Sequence, residues 1–321
     1  MKKILFIIDK VELKYFEFNN LVTNFWLIKE FLEQGHRVYI STIPMLSLEN
    51  DIAFTNCYES FVENNNIFYK DIIEHKEIDL FDFVMFRPDP PVDINYINST
   101  YIFDFVKTKV INSPKSIRSF NEKLHSLYFK EYMTDSIVTS SLNDIEKFLF
   151  KHKQIILKPL NQCFGSGVMY LYDGDPNTRT IIKTLTNNET TLLMIQEFIP
   201  EVKQGDTRVL TLGDKVLPYC IKKLSSSDDF KFNTHNDDFL VKSELTESDL
   251  SYFSPIAKKL NSMGIVMAGL DVINNKIIEV NVTSPCYFIK EINNIYNIRL
   301  EKLLGEYLLS SSYVENTKLF L

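Results

Sequence analysis

Apolar and polar positions along this chain lay out a layered α/β protein. Residues 3–8 form an apolar run that reads as a buried strand. Asn20 to Gln34 carries the spacing of an amphipathic helix, with Gly35 as its stop. His36 to Thr42 reads as a second strand and Phe81 to Phe86 as another. Strand, helix, strand in that order predicts a parallel sheet with crossover helices. The next segment, RPDPPVD from Arg87 to Asp93, has three prolines in four positions and reads as a rigid loop at a strand end. Arg87 stands where open α/β sheets collect ligands. Helical spacing returns at Tyr96 to Lys107.

The second half reads differently. Asn112 to Leu124, NSPKSIRSFNEKL, looks like a hinge between lobes. Ile155 to Pro159 is a strand, and LNQCFGSGVMYLYDG is a turn followed by another. Leu192 to Pro200 is an apolar strand stopped by its proline. Thr207 to Leu212 and Val216 to Lys222 predict a hairpin through Gly213 and Asp214. Residues 225–239 are polar and lack glycine, which reads as a mobile loop. Leu250 to Asn261 and Glu291 to Ser310 read as helices.

Composition narrows the picture. At 321 residues the chain fits two or three lobes around a cleft. Its 45% hydrophobic and 24% charged residues are ordinary globular values. A net charge of −7 argues against a nucleic-acid partner. Cys57, Cys163, Cys220 and Cys286 are scattered without a Cys-x-x-Cys pair, which fits a reducing cytoplasm. The apolar start MKKILFIIDK is cut by Asp9, so it predicts a first strand rather than a signal peptide. No stretch approaches the roughly 18 apolar residues of a membrane span.

Candidate chemistry concentrates in GLDVINNKIIEVNVTSP, Gly269 to Pro285. If Asn274, Asn275 and Lys276 form the loop of a hairpin, Asp271 lies opposite Glu279, and Asn281 shares their face. Opposed carboxylates repel across a ladder, and a divalent cation between them reverses that sign. Three oxygen donors of this kind suit Mg²⁺, which also binds phosphate oxygens. The plainer alternative is a pair of solvent-facing strand carboxylates. Upstream, Lys158 projects from the end of an apolar strand and Lys123 lies at the hinge. The loop with Gly165, Ser166 and Gly167 can bring backbone amides close to phosphate, although it is not a Walker sequence. No Ser-His-Asp or Cys-His arrangement and no histidine metal spacing is present.

In order, RPDPPVDINYINSTYI, NSPKSIRSFNEKL, IILKPL, IQEFIPEVKQGDTRVL, LPYCIKKL, LTESD and GLDVINNKIIEVNVTSP resemble an ATP-grasp ligase of the bacterial glutathione synthetase family. The match runs from about residue 81 to 292, two-thirds of the chain. It implies an α/β fold, α+β in the C-terminal half. An N-terminal pre-ATP-grasp domain (1–120) would precede an ATP-grasp domain (121–321), whose lobes, about 121–199 and 200–321, would sandwich ATP. Lys123 and Lys158 would contact ATP phosphates, with Gly165 to Gly167 as the phosphate loop. The backbone of Gln196, Glu197, Phe198 and Ile199 would read adenine, and Asp206 would sit on the ribose side. Asp271, Glu279 and Asn281 would hold Mg²⁺, with Mn²⁺ as the alternative. Arg208, together with Lys158, would serve the transferring phosphoryl group. Arg87 would bind a substrate carboxylate, and Lys223, Asn233, Ser284 and Lys290 would line the substrate side. Segments 160–168 and 225–239 would be lids. The resemblance further implies γ-glutamylcysteine and glycine as substrates, and a homo-oligomer, dimer or tetramer.

The departures from the family pattern fall mainly on the substrate side. Phe164 replaces a small residue in the phosphate loop. SSSDDFKFNTHNDDF replaces a loop rich in arginine and glycine. Lys223 and Lys290 stand for arginines, an extra residue falls in Cys286-Tyr287-Phe288, and Val22, Thr23 and Asn24 replace an acidic Asp-Ser/Thr pattern. Two further readings therefore stand beside the first: a carboxylate–amine ligase with another donor or acceptor, and a nucleotide-binding protein without catalysis.

Overall fold

The computed structural model of the chain describes residues 1–9, 22–163, 165–224 and 240–310. Its first sheet contains β1 (Lys3–Ile8), β2 (Arg37–Thr42), β3 (Leu46–Glu49), β4 (Ile52–Glu63), β5 (Asn66–Glu77), β6 (Phe83–Phe86) and β7 (Val110–Ile111). They run in the order β3-β4-β2-β1-β6-β7, with β5 on the outer side of β4. The β2-β1-β6-β7 core is parallel, as the strand–helix–strand order predicts, and the β3–β5 extension is antiparallel. Central strands covered on both faces need apolar residues at every position. Accordingly Ile4, Phe6 and Ile8 pack with Phe25, Ile28 and Phe31, whereas Leu5 and Ile7 pack with Phe86, Tyr96 and Ile117. The first group lies on α1 (Thr23–Glu33) and the second beneath α2 (Ile94–Ile102) and α3 (Pro114–Arg118).

A second, antiparallel sheet is ordered β10-β9-β11-β8. It comprises β8 (Ser136–Thr139), β9 (Gln154–Pro159), β10 (Met169–Tyr172) and β11 (Leu193–Glu197), backed by α4 (Leu142–His152) and α5 (Thr178–Leu185). The third sheet, ordered β15-β14-β12-β16-β17 with β13 on β12, is also antiparallel. Its strands are β12 (Asp206–Leu212), β13 (Lys215–Val216), β14 (Tyr219–Lys223), β15 (Leu240–Glu244), β16 (Met267–Ile273) and β17 (Lys276–Asn281). Helix α6 (Glu247–Ser262) covers one face, and α7 (Ile289–Tyr296) and α8 (Leu300–Leu309) lie between this sheet and α1. Among the described residues no helix is long and apolar enough to cross a membrane.

One side chain joins the first sheet to the third. Asn112, buried just after β7, donates to the carbonyls of Met267 and Val282, each at 2.7 Å. Its oxygen accepts from the amides of Val266 and Met267, each at 2.8 Å. The amide thereby satisfies backbone groups that have no strand beside them at that point.

The β16–β17 hairpin corrects the expected loop. Ile273 pairs with Lys276, so the turn is the two residues Asn274 and Asn275, both in the left-handed region at φ 48° and 59°. That is the backbone of a type I′ turn, which asparagine tolerates. A two-residue turn alone would place Asp271 out of register with Glu279. A β-bulge between Asp271 and Val272 restores the pairing by leaving Ile278 as the extra residue. The expected Asp271–Glu279 opposition is present, produced by a bulge rather than by a three-residue loop.

Candidate active site

One face of the third sheet carries the chemistry. Register places Asp206 beside Lys223, Arg208 beside Asp271, Asp271 beside Glu279, and Gly269 beside Asn281. Side chains directly opposite one another share a face, so all of these project the same way. The other face presents Val209, Leu270, Val272 and Val280 to α6 and its apolar cluster. Alternation along three strands therefore separates an ionic surface from a core.

Asp271 is the centre of that surface. Arg208 grips it bidentately, Nε to Oδ1 at 2.7 Å and Nη2 to Oδ2 at 3.0 Å. Lys223 Nζ adds a contact to Oδ1 at 3.0 Å, and Asn281 Nδ2 donates to Oδ2 at 3.0 Å. Burial alone would raise the Asp271 carboxyl, but Arg208 and Lys223 outweigh it and hold the group well below the usual carboxylate range. Arg208 responds in the opposite sense: burial would lower it, and Asp271 drives it above its ordinary value. Gly269 makes the grip possible, since a Cβ there would stand 2.8 Å from Arg208 Cδ.

Lys223 also meets Asp206 Oδ2 at 2.9 Å. Asp206 is pushed up to about 6, by burial first, with Asp271 adding to it and Lys223 opposing. Its Oδ1 is buried without a hydrogen-bond partner among the described residues. The sequence reading put Lys223 on the substrate side; the structure buries it between two carboxylates.

Lysines complete the site from the second sheet and from the segment that follows α3. Lys123 Nζ lies 3.0 Å from Glu279 Oε1 and donates to the Gln162 carbonyl at 2.6 Å. Lys158, at the end of β9, donates to the Ile278 carbonyl at 2.9 Å, which is the residue left extra by the bulge. Burial lowers Lys158 to about 8, with Glu279 pulling the other way and Lys123 assisting burial. Lys123, Lys158, Arg208 and Lys223 thus face Asp206, Asp271 and Glu279, a cluster of cations able to meet a polyanion. Between Gln162 and β10 runs the glycine loop, with Gly165 and Gly167 at φ 70° and 69°. Asn233 and the segment 225–239 lie outside the described residues, as does Phe164.

Beyond β11, the chain passes through Phe198 and Ile199 and a short helical turn at Pro200–Gln204 into β12. Ile199, Val202 and Ile273 form a small apolar cluster, with Phe198 and Ile278 against it. Tyr170 stands edge-on to Phe198 at 4.8 Å between ring centres. Gln196 is buried at the end of β11.

On the side of the first sheet, Arg87 is buried at the end of β6. Its Nε donates to Asn24 Oδ1 at 2.7 Å and its Nη2 to the Pro285 carbonyl at 2.9 Å. Ser284 hydrogen-bonds Asp89, and the neighbouring Cys286 carbonyl accepts from Arg208 Nη1 at 3.2 Å. One short segment, 284–286, therefore connects Arg87 to Arg208. Lys290 lies half-buried in the first turn of α7.

Sequence reasoning missed three contributors. Glu122 accepts from the amides of Val282 and Thr283 at 2.6 and 3.0 Å, fixing the chain just after β17. Gly269 and Asn24 act through contacts made by residues distant in sequence. Adjacency to Lys123 is the sequence signal for Glu122, and a place at the head of the Gly269 to Pro285 motif is the signal for Gly269.

Asp271, Glu279 and Asn281 offer oxygen donors on one strand pair, with Asp271 held anionic, and that set fits a hard divalent cation. Lys158 on the second sheet and Lys123 before the Leu124 turn face Glu279 on the third sheet, beside a glycine loop, and this is the arrangement of an ATP-dependent carboxylate–amine ligase with the ATP-grasp fold; such ligases use ATP and divalent metal ions. Solved structures show the same fold. A D-cycloserine synthetase superposes with a TM-score of 0.66 at 13% identity, covering 95% of this chain and 98% of that one. The D-alanyl-alanine synthetase A of Vibrio cholerae superposes at 0.59 and 12% identity, covering 96% and 97%.

The sequence goes further than the fold. Residues 3–118 match the N-terminal domain of prokaryotic glutathione synthetase, and residues 122–297 match its ATP-grasp domain. The glutathione synthetase of Buchnera aphidicola from Schizaphis graminum is 33% identical over 299 residues, 91% of this chain and 92% of its own. That of Escherichia coli O6:H1 is 31% identical over 287 residues, 88% and 90%. The chain belongs to the prokaryotic glutathione synthetase family.

Proposed function

We propose that the protein joins γ-glutamylcysteine to glycine, converting ATP to ADP and phosphate and producing glutathione. The observation that carries the proposal is the cluster of Lys123, Lys158, Arg208 and Lys223 around Asp271 and Glu279, with Arg87 held nearby by the 284–286 segment. The cysteinyl carboxylate of the dipeptide attacks the γ-phosphorus and ADP leaves, giving an acyl phosphate. The glycine amine then attacks the acyl carbon, phosphate departs and the amine's proton is lost.

Each group has a part consistent with its place. Lys123 and Lys158 bind phosphate oxygens, assisted by the backbone of Gly165, Ser166 and Gly167. Arg208, already oriented by Asp271, faces the phosphoryl group as charge builds on its oxygens. Asp271, Glu279 and Asn281 would hold Mg²⁺, with Mn²⁺ as the alternative, and the ion would supply further neutralisation of phosphate charge. Phe198, Ile199, Ile273 and Ile278 offer an apolar seat for adenine beside the backbone of Gln196 and Glu197. The free buried oxygen of Asp206 is an acceptor for a ribose hydroxyl. Arg87, Ser284 and Lys290 belong to the dipeptide side, and Lys223 serves chiefly to hold Asp206 and Asp271.

The same proposal takes residues 1–120 as the substrate domain, with 121–199 and 200–321 as the nucleotide lobes. It places the enzyme in the cytoplasm as a homo-oligomer, and free cysteines at all four positions fit a reducing compartment. Dipeptide labelled with ¹⁸O in the cysteinyl carboxylate tests the chemistry. One labelled oxygen must appear in the released phosphate; unlabelled phosphate alongside glutathione formation would refute the acyl phosphate.

A further inference from the structure

Among the described residues Arg87 is a buried cation with no carboxylate in direct contact, and Asp89 acts on it only through space. Its residue surface is 3% exposed, and no carboxylate lies within ion-pairing distance of it among the described residues. Both of its acceptors are neutral, Asn24 Oδ1 at 2.7 Å and the Pro285 carbonyl at 2.9 Å. Burial accordingly lowers its pKa from the ordinary arginine value. A guanidinium only donates, so the oxygen of the Asn24 amide must be the atom facing it. Such contacts fix the fork without pairing its charge directly, and Nη1 makes no hydrogen bond among the described residues. A carboxylate arriving there would gain a charge-assisted contact.

Asn24 is itself fixed. It is the second residue of α1, and the first, Thr23, accepts from the Tyr287 amide at 2.8 Å through its hydroxyl. Tyr287 stands two residues beyond Pro285, whose carbonyl is the other acceptor for Arg87. The start of α1, the 285–287 segment and the end of β6 thus form one frame around the guanidinium.

We infer that Asn24 is a positioning residue for the donor, its neutral oxygen aiming Arg87 while reserving the positive charge for a carboxylate of the dipeptide. This rests on the reading of Arg87 as a donor-side residue. An aspartate at position 24 would keep the acceptor but spend the charge, so stability and binding would move in opposite directions.

The test compares Asn24→Asp, Asn24→Ala and Arg87→Ala by steady-state kinetics in each substrate and by thermal unfolding. Asn24→Asp should hold or raise the unfolding midpoint yet raise the KM for γ-glutamylcysteine by about thirtyfold, through the spent charge. Asn24→Ala should raise that KM by about tenfold, through loss of one hydrogen bond to a charged group. The KM values for ATP and glycine should stay within about twofold in both. A merely structural Asn24 predicts the reverse order, with Ala unstable and Asp normal in binding. Wild-type dipeptide KM in both Asn24 variants would overturn the inference. If Arg87→Ala still raised that KM, the donor-side reading would survive; if Arg87→Ala also left it unchanged, that reading would fail too. Should Asn24→Asp not fold, the Ala variant decides by the same KM comparison.

Discussion

Gly269 lets the site's chemistry be perturbed without touching a charged group. A methyl there would stand 2.8 Å from Arg208 Cδ, 3.1 Å from Nη1 and 3.3 Å from Nε, whereas ordinary contact begins at 3.4 Å. The arginine must therefore retreat by about 0.6 Å at Cδ. A surface arginine would do so freely, but this one is buried and doubly bonded to Asp271 at 2.7 and 3.0 Å. Overpacking of this kind costs about 1–3 kcal/mol of stability. Displacing an oriented transition-state group by a good fraction of an ångström costs roughly 10- to 100-fold in rate. Gly269→Ala should accordingly fold, unfold at a lower temperature, and release ADP with kcat reduced within that range, while its KM for the dipeptide changes little. Steady-state ADP release and a thermal melt read both effects. A variant within about twofold of the parent in kcat would refute the role given to Arg208 and its seat on Gly269.

Asp271→Asn and Glu279→Gln should both lose at least about 100-fold in turnover, as expected for charge-stabilising groups, but they should differ in stability. Asp271 is enclosed by Arg208 and Lys223, and breaking a buried pair costs about 3–5 kcal/mol, whereas the Glu279 side chain is 23% exposed; denaturant melts distinguish the two, and equal melts would contradict the burial argument. Asn112→Ala removes four hydrogen bonds between sheets and should cost about 3–5 kcal/mol, given about 1–3 per orphaned buried group with partial recovery by water. A loss below about 1 kcal/mol would show that the link is not needed. Lys158 has its pKa lowered to about 8, so its charge is present below that pH and lost as pH rises through it. Nucleotide affinity measured by calorimetry should weaken above about pH 8, approaching tenfold per unit; a flat profile to pH 9.5 would remove Lys158 from phosphate binding.

Much of the site was legible because strand alternation is a strict code. Once a hairpin was placed at Gly269 to Pro285, the shared face of Asp271, Glu279 and Asn281 followed from parity alone. The bulge at Asp271/Val272 was not legible, and the expected loop was one residue too long by the same amount that the bulge supplies. The parallel core was readable from apolar runs bounded by helix signals. The β3–β5 extension was not read, since its mixed polar surface has no continuous apolar run: in β5 only Ile67 is buried. Glu122 and Asn112 were invisible as site or link residues for a different reason, and Asn24 showed only as a departure from the family pattern. Each acts on backbone or side chains more than 60 residues away, and a polar residue reveals nothing of such a partner in its own neighbourhood.

The most direct test of the central claim is steady-state ADP release with Mg-ATP, γ-glutamylcysteine and glycine, omitting each in turn and measuring glutathione in the same samples. The account predicts that ADP release requires all three and that glutathione appears in equal amount. ADP release without glutathione, or undiminished release when glycine or the dipeptide is omitted, would contradict it.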